Sequence, residues 1–147
     1  MKRLILTAIA GTILATQGIA GGETPSNPEA EVYFVNLQDG ATVTSPILVV
    51  FGLRGMGVAP AGTEAEMTGH HHLFVNRPPL GEGEDGAAEL ENGIPSDENH
   101  LHFGGGQTET EIELPAGTHT LQLVLGDWSH VPHATPIVSE VISITVE

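Results

Sequence analysis

From Glu31 onward the chain is a succession of strand-length runs, each cut off by glycine or proline, and few stretches carry a helical period. Glu31–Leu37 (EVYFVNL) is rich in strand formers and ends before the turn signal Asp39-Gly40. Pro46–Leu53 (PILVVFGL) is an apolar run of strand length, and His70–Asn76 (HHHLFVN) reads as a third strand. Thr108–Leu114 (TETEIEL) alternates weakly, and Pro115-Ala116-Gly117 makes a short turn. His119–Leu125 (HTLQLVL) alternates, with Leu121, Leu123 and Leu125 on one face, and Ile137–Val146 closes the chain. Short strands at this spacing predict an all-β fold, an immunoglobulin-like antiparallel β-sandwich of about seven strands.

The N-terminus has the pattern of a secretory signal. Lys2 and Arg3 precede an apolar stretch, Leu4 to Thr16, and Gly18-Ile19-Ala20 supplies small residues for cleavage after Ala20. The apolar stretch is short of the roughly 20 residues of a membrane span. We therefore expect residues 1–20 to be a signal peptide and the mature protein to be periplasmic or secreted, without membrane insertion. Residues 21–30 are expected as a flexible lead-in and 31–147 as a single sandwich domain. Within it, residues 77–99 read as a long acidic loop. One further strand hidden there would complete the usual seven and put the start of the His70 strand at the same end as His130 and His133.

Past residue 20 only Arg54 and Arg77 are basic, against 19 acidic residues. Nucleic-acid and anionic-lipid partners are excluded, because both need Lys and Arg. The chain has no cysteine, so no disulfide frame holds the exported fold, and no lipoprotein anchor is expected. Glu82, Glu84 and Asp85 lack the regular ligand spacing of a calcium loop.

All eight histidines fall between positions 70 and 133: His70-His71-His72, His100-Leu101-His102, His119, and His130-Val131-Pro132-His133. Neutral imidazole is a common ligand for transition metals. Side chains alternate across a strand, so His70 and His72 share one face while His71 joins Leu73 and Val75 on the other. His100 and His102 form a second such pair. If Thr108–Leu114 and His119–Leu125 form a hairpin about the Pro115 turn, His100 and His102 meet His130, His133 and Asp127 at one sandwich end. His119 then lies at the other end, roughly 23 Å away. The candidate metal ligands are His70, His72, His100, His102, His130 and His133, with Asp127 as ligand, orienter or turn residue. His71 and His119 are assigned to packing.

The ion is expected to be copper or zinc, with copper favoured by the exported setting and by Met56 and Met67. The expected function is metal buffering or delivery, with the metal ion and another exported or envelope protein as partners. Two other classes stay open: a His-ligated copper enzyme, and a metal-free envelope interaction or adhesion module. No catalytic residue is assigned; Ser129 beside His130 is only a sequence neighbour, and no Gly-x-Ser-x-Gly elbow occurs.

The stretches Thr68–Leu73 (TGHHHL), Leu101–Thr108 (LHFGGGQT), Pro115–Val124 (PAGTHTLQLV), Gly126-Asp127, His130–His133 (HVPH) and Val138-Ser139-Glu140 form a specific set, with Gly55–Gly62 (GMGVAPAG) upstream. On these motifs the chain resembles, over roughly residues 31–147, a bacterial domain-of-unknown-function family, number 4399 in its series. The resemblance implies an exported, single-domain bacterial protein and no particular activity.

Overall fold

The computed structural model describes residues 21–147; the expected signal peptide, residues 1–20, and its cleavage point lie outside the described residues. The elements run β1 (Glu31–Phe34), β2 (Ala41–Val43), β3 (Ile47–Arg54), β4 (Gly57–Val58), β5 (Thr68–Val75), α1 (Gly86–Asn92), β6 (His100–His102), β7 (Glu109–Ile112), β8 (Gly117–Gly126), β9 (Pro132–Val138) and β10 (Ile142–Val146). They build an all-β sandwich. One sheet has the order β1-β3-β7; the other has the order β2-β10-β8-β5-β4, with β6 added on β5 and β9 on β8. The described strands number ten rather than about seven, and two pairings, β2 with β10 and β4 with β5, are parallel.

The strand alternation decides what lies between the sheets. Leu121, Leu123 and Leu125 of β8 and Leu73 and Val75 of β5 point inward onto Val32, Val49, Phe51 and Ile112 of the smaller sheet. Full burial of each such side chain stabilises the fold by about 1.5–3 kcal/mol. His71 belongs to this inner face and lies 5.1 Å from the Phe51 ring. On the outer face of the same sheet, Phe74 and Val124 pack with Leu80, Leu90 and Ile94. Those last three come from residues 77–99. The acidic stretch therefore carries a short helix, α1, and covers the outer face of the larger sheet.

Two expectations about connectivity are overturned. β7 and β8 form no hairpin: β7 pairs with β3 in the smaller sheet, and β8 pairs with β5, β9 and β10 in the larger. The Pro115–Gly117 corner, with Gly117 at φ 139°, carries the chain from one sheet to the other. No strand occupies residues 77–99; α1 and its flanks return the chain so that β6 runs antiparallel to β5. The start of β5 nonetheless lies at the end of β8, with His70 opposite Gly126. The lead-in is tied along β9, where the Gly21 and Gly22 N–H groups donate to the Ala134 and Pro132 carbonyls and Ala134 N–H donates to Thr24.

Candidate metal centre

Register places the histidines. On β5, His72 stands opposite His102 of β6 on one side and Val124 of β8 on the other. His70, two residues earlier on the same face, stands opposite Gly126, which contributes no side chain. Into that space comes His130 from the loop between β8 and β9. The result is a group of four imidazoles, His70, His72, His102 and His130, whose donor atoms all lie within 4.8 Å of one another. His70 Nε2 is 3.1 Å from His72 Nε2 and 3.1 Å from His130 Nδ1.

Glycines make room for these rings. A Cβ at Gly126 would sit 2.8 Å from His72 Nε2, and one at Gly104 would sit 2.6 Å from His102 Nε2. One at Gly69 would lie 2.5 Å from the Gly126 carbonyl and 3.1 Å from His133 Nε2. This feature was missed in the sequence. Its signal, Gly126 opposite His70 and Gly104 two residues after His102, becomes readable only with the register.

Burial favours the neutral form of His70, His72 and His102. It lowers His70 to about 4, helped by His130 and His102 and opposed by Asp127. Burial also lowers His72, reinforced by His70, His102 and His130, and it lowers His102, reinforced by His130. Neutral imidazoles have lone pairs free for a cation. His70 Nδ1, His72 Nδ1 and His102 Nε2 are buried without hydrogen-bond partners. Bond lengths of about 2.05 Å in a tetrahedral shell would put neighbouring nitrogens about 3.3 Å apart. The 3.1 Å separations here are compatible with that, so these residues fit a transition-metal ion.

The other expected ligands lie elsewhere. His100 pairs with Phe74 across β5–β6, not with the cluster. Its Nδ1 faces Asp97 at 2.8 Å and its Nε2 faces Glu89 at 3.1 Å, beside Arg77. Strand alternation did put it on the face of His102, but one register step further along, under α1. The buried acid Glu89, which holds Arg77, was not anticipated. His133 is fully buried and outside the four; neither ring nitrogen has a well-formed hydrogen bond, and burial lowers its titration despite Asp127 and the Thr24 and Pro25 backbone. His119 lies at the opposite end of β8, between Asn76 and the Pro115 carbonyl. Met56 packs against the main core and Met67 is exposed.

Asp127 organises the loop that presents His130. Its Oδ1 accepts from Ser129 N–H, Ser129 Oγ–H and Val131 N–H, at 2.8, 2.9 and 3.0 Å. Its Oδ2 accepts from the Thr24 hydroxyl. Burial raises this carboxyl, but these donors outweigh it and hold it below the usual range. With its acceptor capacity committed, Asp127 positions His130 rather than facing the ion. His130 sits at φ 70°, a left-handed conformation that the loop imposes. Ile94 N–H donates to the His130 carbonyl at 2.9 Å, so the 77–99 segment steadies the same residue.

No curated protein and no solved structure matches the chain. A family model matches residues 49–147, the stretch that supplies every imidazole of the cluster and the glycines around them. The chain belongs to the family described as Domain of unknown function (DUF4399).

Proposed function

We propose that the protein is an exported transition-metal-binding protein that buffers the ion or hands it on, in the periplasm or outside the cell. The observation that carries this reading is the convergence of four imidazoles, two buried and two half-buried, with donor atoms within 4.8 Å of one another. Four protein donors fill a four-coordinate shell, which suits holding an ion; catalytic sites keep a position open. Copper is the first choice and zinc the second, since imidazole suits both and copper(II) heads the divalent affinity order. The signal-like N-terminus supports the exported setting. A copper enzyme is the second reading, favoured by the partial exposure of His102 and His130, through which a substrate would approach.

The test is elemental analysis of untagged protein purified without chelator, followed by copper and zinc titration. We expect one tightly held ion per chain. We also expect binding to be lost in His102→Ala/His130→Ala with the fold intact by circular dichroism. Absence of any tight binding, or full stoichiometric binding in that variant, overturns the assignment.

A further inference from the structure

The loop that presents His130 also carries Trp128, which is 42% exposed although it is the only tryptophan in the chain. It lines two solvent-open cavities, of about 580 Å³ and about 260 Å³. Glu23 and Glu91 line the first; Glu64, Glu66 and the exposed Met67 line the second. None of these four glutamates has a basic partner among the described residues. The basic side chains there, Arg54 and Arg77, are engaged by Glu31 and Glu89. A partly exposed tryptophan in the wall of two cavities that also carry uncompensated carboxylates is a recognition surface for cations, because tryptophan offers the best cation–π face.

We propose that this surface around Trp128 is the docking site for a basic segment of a partner protein. The shape favours a chain over a small ion: the two cavities share Trp128 and Thr24 in their walls and each has its own carboxylates, so an extended segment can set one cation in each. A second copy of this acidic protein would bring like charge to the same place and is disfavoured. Trp128 is two residues from His130 in the loop between β8 and β9, so the docked segment contacts the loop that presents one of the four imidazoles. The inference rests on the delivery reading for its purpose: it names the kind of partner that receives or supplies the ion.

The test uses metal-free protein and an end-capped tetra-arginine peptide, with Trp128 fluorescence as a reporter specific to this surface. We expect a saturable change that weakens with salt. Neutralising the rim in Glu23→Gln/Glu64→Gln/Glu66→Gln should weaken binding about tenfold. Removing the same number of charges from the distant β7 face, in Glu109→Gln/Glu111→Gln/Glu113→Gln, should change it less than about twofold. Equal weakening by both variants, or no response of Trp128, overturns the proposal. Equally tight binding of spermidine also overturns it, in favour of a free polyamine. Because no metal is present, failure here leaves the metal titration unaffected, and failure of the metal titration leaves this result readable.

Discussion

Gly126 carries no functional group, yet it sets where the His72 imidazole can stand. Its backbone lies in a region open to any residue, so a methyl group there meets only the neighbours. Of these His72 Nε2, at 2.8 Å, must move. Gly126→Ala should therefore leave the strands intact and displace one ligand, with a loss of metal affinity of about 10–100-fold, the size seen when support around a ligand is disturbed. Chelator-competition titration reads this directly. Unchanged affinity would mean that the ring is free to rotate away without cost, and the cluster would not be preorganised. The same reasoning separates Asp127 from the ligands: its carboxylate is committed to Thr24, Ser129 and Val131, and it works by fixing the loop that holds His130 at φ 70°.

Among the elements, the 77–99 segment connects the second small core to the cluster. Arg77 pairs with Glu89 of α1 almost out of solvent, the side chains being 10% and 2% exposed, and Arg77 also lies 4.7 Å over the Phe74 ring. Removing one member of a buried pair strands the other, at a cost of about 3–5 kcal/mol. Arg77→Met should lower stability to urea by about that much and raise amide exchange across α1. Arg77→Met/Glu89→Leu should recover most of the loss; failure of the double variant to recover would show that the pair is not what anchors the segment. None of this could be read from the sequence, since a seven-residue helix is too short for its period to stand out and Glu89 looks like one more acid in an acidic stretch. The β5 pattern was legible because alternation fixes which face a side chain takes; it separated His70 and His72 from His71. Strand partners were not legible, as alternation is silent on them. That is why a hairpin was expected where β7 crosses to the other sheet, and why His100 was grouped with His102 instead of with Asp97 and Glu89. His130 and His102 were correctly expected to meet, although the hairpin used to bring them together does not exist. The end of β8 and its pairing with β5 do that work.

For the molecule as a whole, buried neutral histidines make folding depend on pH. His71 sits in the main core with its titration lowered by burial to about 4, from 6.5, and burial lowers His133 in the same sense. Between those two pH values the unfolded chain binds a proton at His71 and the folded chain does not. Protonation therefore favours unfolding: the stability that neutral His71 contributes is fully present above pH 6.5 and is lost as the pH falls towards 4. At one pH unit per 1.36 kcal/mol, His71 alone accounts for a loss of about 2–3 kcal/mol between pH 7 and pH 4.5. An opposing effect runs over the same range, since the acidic surface approaches its isoelectric point of about 4.6 and its self-repulsion eases. Comparison with His71→Leu removes that background, because both proteins carry the same carboxylates. Measured by urea unfolding in chelator, the wild type should lose about 2–3 kcal/mol more than His71→Leu over this interval, whatever the absolute slope. Parallel curves for the two proteins would mean that the His71 ring titrates normally in the fold and that its burial beside Phe51 does not exclude the charged form. Added ion should act on top of this, raising stability at pH 7 by about 4 kcal/mol when free metal is a thousand times the Kd. That gain should shrink with acid as protons compete for the four imidazoles.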